Sequence, residues 1–384
     1  MTVAPPILSG TPGSFAHGVF HDRHPKLIDQ VIAALPYQPV QQAALRQLLE
    51  ESVTGVLEPL TEDTADRAQW LEWGREFWGR PWGEVPFLWS ESYFYRRLLE
   101  ATGYFQPGPW HGIDPFGPTK TAELASPAAT DEIHAVRDLP NVSTDKQRDA
   151  LLISSLWGNQ ADLGFQLTAS GQTRTKNLII DDSHTLWATL TSTTNPMVCI
   201  IADNSGRELL PDLILIDHLL TTGLACGIRL YLKPNPYYVS DATMADLLAT
   251  IQFLDQAPVP EARHIGGRLR QAVTDDRLVI RTHEFFCAPL SYHHQPADLA
   301  TEFATATTTI LKGDLNYRRL VGDNHWPPTT EFDELVAYFP SPVTALRTLK
   351  SDVIVGLTPA HVEQLDSTRQ TWRTNGEYAV IQSS

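Results

Sequence analysis

The sequence predicts an α/β protein: a mostly parallel sheet with helices on both faces, preceded by a mainly helical region. Two observations lead there. Beyond about residue 150, short apolar runs suited to buried strands alternate with longer amphipathic segments. Before about residue 145, apolar residues recur at helical spacing and aromatic side chains are dense. The division is therefore drawn between a helical part, 1–145, and an α/β part, 146–384.

In the helical part, Pro25 starts a helix through Ile32, with proline in its first turn. Gln41 to Leu57 carries Ala44, Leu45, Leu48, Leu49, Val53 and Val56 at helical spacing, and Phe87 to Thr102 carries Leu88, Tyr95, Leu98 and Leu99. Trp70, Trp73, Trp78, Trp82, Trp89 and Tyr93 read as core. Glu91, among these aromatics, reads as a half-exposed helix residue, with a buried acid near the site as the alternative. Gly103 to Pro118 reads as a loop, and the Pro-punctuated Ala125 to Val142 as a linker or domain edge. In the α/β part the expected strands are Asn177–Ile180, Met197–Ala202, Ile228–Leu232, Leu278–Thr282, Thr308–Leu311 and Asp352–Val355. The expected helices are Lys146–Trp157, Leu209–Thr222, Thr243–Leu254, Ala297–Ala306 and Thr330–Val336.

Composition excludes several function classes. The 384 residues carry a formal charge of −16, which repels nucleic acid and anionic lipid. No apolar stretch is long enough to span a membrane, and Met1 to Pro6 shows no secretory signal. Cys199, Cys226 and Cys287 lie in or beside apolar segments without a CxxC pair, so they read as small buried hydrophobes in a reducing, cytoplasmic setting. Positive charge gathers between Lys312 and Lys350, with Arg318, Arg319 and Arg347 between them. This is either an anion site or a solvated basic face.

The apolar run Met197–Ala202 ends in Asp203-Asn204, where a parallel strand delivers side chains to a ligand crevice. A carboxylate and an amide carbonyl suit a hard divalent cation such as Mg²⁺ or Mn²⁺. Alone, the pair reads more readily as a cap for the next helix than as a metal site. Asp241, in Ser240-Asp241-Ala242-Thr243, is likewise a fair cap alone, but two acidic strand ends in successive βα units can meet at one sheet edge. In Lys312-Gly313-Asp314-Leu315-Asn316-Tyr317-Arg318, Gly313 permits close backbone approach, the next turn offers N–H groups to an anion, and Arg318 can fork onto phosphate. Arg347 and Lys350, placed before the last strand, lie three apart and point to opposite faces of an extended chain; Lys350 is the chosen phosphate contact. Asn159 and Asp162, after the helix stop Gly158, suit sugar hydroxyls or a structural turn. His293-His294 reads as surface, and neither HExxH nor GxSxG is present.

Taken in order, Ser-Leu-Trp-Gly-Asn-Gln-Ala-Asp-Leu (155–163), Asp-Asn-Ser-Gly-Arg-Glu-Leu (203–209), Val-Ser-Asp-Ala-Thr (239–243), Lys-Gly-Asp-Leu-Asn-Tyr-Arg (312–318) and Arg-Thr-Leu-Lys (347–350) resemble the acidic-residue-methyltransferase-like damage-control phosphatases, in the group marked by Arg-Thr-x-Lys. The resemblance implies a helical N-terminal domain joined to a three-layer α/β/α domain. It implies a metal-dependent phosphatase of sugar phosphates and related damaged metabolites, using Mn²⁺, Mg²⁺, Co²⁺ or Ni²⁺. Metal ligation would fall to Asp203, Asn204 and Asp241, and substrate contacts to Glu208, the 314–318 segment and Lys350. Arg207 stands where relatives usually carry an aromatic residue.

The expected reaction is hydrolysis of a phosphomonoester of the fructose 1-phosphate or fructose 6-phosphate class. A carboxyl methyltransferase using S-adenosylmethionine is the alternative, and lacks a glycine-rich loop after the first strand of the α/β part. A non-catalytic sugar-phosphate binder is the third reading. Nothing in the sequence fixes an oligomeric state.

Overall fold

The computed structural model describes residues 4–158, 163–168, 177–368 and 371–384. Its helical region comprises α1 (Phe15–Gly18), a wide turn over Val19–Arg23, α2 (His24–Ala34), α3 (Pro39–Thr54), α4 (Arg67–Trp73), α5 (Phe87–Thr102), α6 (Gly117–Leu124) and α7 (Pro127–Ala135). The α/β region comprises α8 (Thr144–Trp157), α9 (Leu163–Thr168), β1 (Leu178–Asp181), α10 (Ser183–Ser192), β2 (Met197–Ile201), α11 (Leu209–Thr222), β3 (Gly227–Leu232), α12 (Met244–Asp255), α13 (Pro260–Thr274), β4 (Leu278–Thr282), α14 (Ala297–Phe303), β5 (Thr308–Lys312), α15 (Gly313–Val321), α16 (Phe332–Val336), β6 (Val343–Thr348), α17 (Pro359–Ser367) and β7 (Ala379–Ser383).

The seven strands form one sheet in the order β1-β7-β6-β5-β2-β3-β4. Pairing is parallel except between β6 and β7, so β1 and β7 run against the other five. From β2 the chain winds outward through β3 and β4, then returns to lay β5 on the opposite side of β2. This reversal opens a crevice at the carboxyl ends of β2 and β5, the usual place for a ligand in an open parallel sheet.

Alternation along each strand divides the core. In β2, Cys199 and Ile201 face a cluster shared with Phe20, Leu45, Trp82 and Phe94 of the helical region. Val198 and Ile200 face a second cluster with α8, α11, α12 and α13. The helical region thus covers one face of the sheet through α1–α5, while α7 packs into the cluster on the other face. Its tryptophans pack as expected: Trp70, Trp78 and Trp82 surround Tyr93 with ring centroids 5.3–5.7 Å away.

Several expectations are corrected. Residues 352–355 form no strand; their carbonyls are taken instead by side chains, with Arg347 donating to Val353 O and Gln382 to Val355 O. Arg347 lies within β6, a strand that the sequence hides because a cation interrupts its apolar run. The segment 125–142 is helical rather than a linker, and Ala129, Ile133 and Val136 are buried in the second cluster. The turn after Gly313 is the first of a nine-residue helix, α15. Cys199 is buried, but Cys226 is exposed and Cys287 half-buried. Among the described residues no helix is long and apolar enough to cross a membrane.

Candidate active site

The carboxyl ends of β2 and β5 open into a cavity of about 440 Å³ lined by Asp203, Asn204, Asp241, Asp314, Lys350 and Arg318, among others. Two elements bring the first three together. Asn204 and Asp241 pair as a short antiparallel bridge, and the Ala242 N–H donates to Asp203 O at 2.8 Å. The loop after β3 is thereby stitched to the end of β2.

None of the three caps a helix. The cap of α12 is Thr243, which forms a reciprocal capping box with Asp246. At α11 the N-cap is Glu208, with no side-chain hydrogen bond to the helix N–H groups. The Asn204 amide instead donates to Glu208 Oε2 at 2.9 Å and Asp203 Oδ2 at 3.2 Å, while its Oδ1 accepts from Ser240 Oγ at 2.7 Å. The approach to Asp241 is strained: Tyr238 and Val239 adopt φ of 44° and 68°, and a β-branched residue with φ in this range is a true outlier. Tyr238 is held there by stacking on Tyr95, centroid to centroid 4.7 Å.

Negative charge is concentrated at this point. Burial raises the Asp203 carboxyl well above the usual carboxylate range, and the charges of Asp241 and Glu208 raise it further. Asp241 is pushed up to about 6 by burial, against the pull of Lys233. Lys233 Nζ lies 3.3 Å from Asp241 Oδ2, both side chains 2% exposed, yet that oxygen accepts no hydrogen bond. Lys120 holds the same loop from below, donating to Asp241 O at 2.9 Å and pairing with Asp114 and Asp246.

These observations test the fit of a divalent cation. Two carboxylates and an amide carbonyl are hard oxygen donors, and the buried carboxylates repel one another. Among the described residues no cluster of three or more His, Cys, Asp or Glu forms a cage. The donor set of Asp203, Asn204 and Asp241, two carboxylates and an amide carbonyl on one cavity wall, is chemically suited to a hard divalent cation.

Of the five cations between Lys312 and Lys350, four are committed internally. Lys312 pairs with Asp212 at 2.9 Å and bonds Ser155. Arg319 donates to the carbonyls of Phe285, Phe286 and Leu290. Arg347 is fully buried against Asp314 and Ser351. Arg318 reaches the cavity wall, but its guanidinium is taken by Asp323 (2.9 Å, two bonds) and Glu91 (2.8 Å). The expected fork onto phosphate is thus corrected: a buried guanidinium needs fixed partners, and it has them. Glu91 is buried rather than half-exposed. Lys350 is the cation of this group that faces the site. Its side chain is 40% exposed, and its Nζ is 3.6 Å from Glu208.

The remaining expected contacts divide. Leu315 and Asp314 line the cavity. The Asp314 carboxylate accepts from Arg347, the Ser351 hydroxyl and the Lys350 N–H, and Arg347 holds its carboxyl below the usual range against burial. Asn316 and Tyr317 face inward instead: Asn316 bonds Tyr292 and the carbonyls of Ala202 and Lys312, and Tyr317 donates to Gln382 Oε1. Both are fully buried, because α15 turns them away from the crevice. Asn159 and Asp162 lie outside the described residues. Sequence reasoning missed Lys233, Lys120, Arg23 and Lys26. A lysine directly after β3 was a usable signal; the others give none along the chain.

The match to known proteins extends over most of the chain. The family model described as the damage-control phosphatase ARMT1-like domain matches residues 19–365. The chain is 34% identical to a damage-control phosphatase ARMT1 from Danio rerio over 337 residues, 79% of this chain and 74% of the relative. It is 30% identical to the protein of that name from Homo sapiens, covering 100% of this chain and 99% of the relative. In fold it is similar to a DUF89 family protein from Pyrococcus horikoshii, with TM-score 0.51, 15% identity and coverage of 95% and 97% of the two chains.

Proposed function

The chain belongs to the ARMT1-like damage-control phosphatase family, and from that premise we propose that it hydrolyses phosphomonoesters of small sugars, of the fructose 1-phosphate or fructose 6-phosphate class, with a divalent cation held by Asp203, Asn204 and Asp241. Membership supports a phosphatase; the sugar, the cation and the residue roles are our reading. The observation that carries it is the backbone bridge between Asn204 and Asp241, on the wall of a cavity that also receives Lys350.

In hydrolysis the water oxygen bonds phosphorus, the sugar oxygen leaves with a proton, and inorganic phosphate is released. A bound divalent ion would supply a Lewis acid for the phosphoryl group. Lys350 neutralises phosphoryl oxygens as charge shifts onto them. Asp314 acts through its neighbours, fixing the 350–351 backbone that carries this lysine. The Asn204 amide keeps the Asp203 and Glu208 carboxylates in register. Lys233 and Lys120 hold the Asp241 loop against its own negative charge.

The test is phosphate release from a sugar-phosphate panel by purified protein with Mn²⁺, Mg²⁺, Co²⁺ or Ni²⁺. Turnover should vanish with a chelator and in Asp203→Ala, with the circular dichroism spectrum unchanged. Failure of every metal and substrate combination sinks the reading.

A further inference from the structure

One wall of the cavity comes from the start of the chain. Phe15, Val19, Arg23, Lys26 and Gln30 recur every three or four positions across α1, the wide turn and α2, and all line it. Within the wide turn the His24 N–H donates to Val19 O, five residues back. Such a turn adds a residue to the helical repeat and re-aims the side chains of α2; these turns are frequent at functional sites.

The charges on this wall are unlike those elsewhere in the cavity. Arg318 is committed to Glu91 and Asp323, and Lys350 stands against Glu208. Arg23 and Lys26 are exposed, and among the described residues neither enters an ion pair or hydrogen bond. The same cavity is also lined by the apolar and aromatic side chains of Leu27, Tyr95 and Val239. On a chain of charge −16, two exposed cations on the wall of one cavity form a local positive patch that an anionic group of a ligand could meet.

The phosphate to be cleaved belongs with Asp203 and Lys350, which leaves Arg23 and Lys26 without a partner in a singly phosphorylated sugar. We propose that Arg23 and Lys26 form a second anion subsite, and that the preferred substrate class is a sugar phosphate carrying another anionic group, a second phosphate or a carboxylate. The inference rests on the phosphatase reading for the first phosphate. The cavity lies within the ~300–1,000 Å³ usual for small-molecule sites, enough for two anionic ends.

The test compares fructose 1,6-bisphosphate with fructose 1-phosphate and fructose 6-phosphate. Binding is read by calorimetry and turnover by phosphate release, on wild type, Arg23→Gln/Lys26→Gln and the charge-conserving Arg23→Lys/Lys26→Arg. The wild type should favour the bisphosphate at least tenfold in kcat/KM and in Kd. The glutamine pair should lose that ratio, and the charge-conserving pair should restore most of it. No preference in the wild type, or an equal loss on all three sugars, overturns the subsite. Selective binding of the bisphosphate without hydrolysis upholds the subsite and overturns the phosphatase. Hydrolysis of the monophosphates with no preference does the reverse.

Discussion

Gly313 approaches Asp203 so closely that a Cβ on the glycine would fall 1.8 Å from Asp203 Oδ2. The glycine also sits at φ +83°, where other residues are strained. The first residue of α15 is thus the floor on which a β2 carboxylate rests, and the two strands flanking the sheet's reversal meet there. Gly313→Ala must displace Asp203 or the start of α15. We expect phosphatase activity to fall at least about 100-fold, roughly 2.7 kcal/mol in transition-state stabilisation. Backbone strain should cost about 1–3 kcal/mol more, read by denaturant unfolding. An alanine variant with wild-type kcat would show that the close approach is incidental.

Lys350 offers a cleaner separation of chemistry from folding, because its side chain is 40% exposed and its backbone is held by Asp314. Lys350→Met should lower kcat/KM by about 10²–10³ while leaving the unfolding midpoint within error. A matching drop in stability would mark the lysine as structural.

Arg318 should behave in the opposite way. It is 3% exposed and bonds two acids, so Arg318→Met leaves Glu91 and Asp323 buried without their cation. Losing one partner of a buried ion pair costs about 3–5 kcal/mol. Urea unfolding should show that loss before any effect on KM is assigned. A stable variant with raised KM alone would return the guanidinium to direct phosphate contact.

His24 makes stability depend on acid. It is buried, stacked on Phe94 at 3.7 Å, and neither ring nitrogen has a hydrogen-bond partner. Burial, with the Arg23 charge, lowers its pKa well below the usual value. The unfolded chain takes up this proton near pH 6.5 and the folded chain does not. The contribution is therefore complete above about pH 6.5 and is lost as pH falls toward the folded-state value. His24→Phe should flatten the fall in stability below pH 6.5. Identical slopes for the two proteins would show that His24 titrates freely in the native state.

How far this molecule can be read from sequence depends on the range of each interaction. The β2 run into Asp203-Asn204 and helix 209–222 were legible because burial on both faces and helical spacing are local patterns. The buried state of Glu91 was the less favoured of two readings because its partner, Arg318, lies 227 positions away, and nothing near it announces a buried pair. The same distance effect hid Arg347, whose cation breaks an apolar pattern that Asp314 makes tolerable. Arg318 looked available for phosphate because a sequence shows charge but not who has claimed it. The α2 wall left no trace, since exposed Arg23 and Lys26 look like any solvated helix face.

The pairing of β1 has a consequence for biosynthesis. Its neighbour in the sheet is β7, about 200 positions further on, and the Asp182 carboxylate waits for the Ser383 N–H. A chain emerging from the ribosome must carry an unpaired strand edge through about half of its synthesis, and contacts of such separation form slowly. Nascent protein should therefore lean on chaperones until β7 closes the gap between β1 and β6.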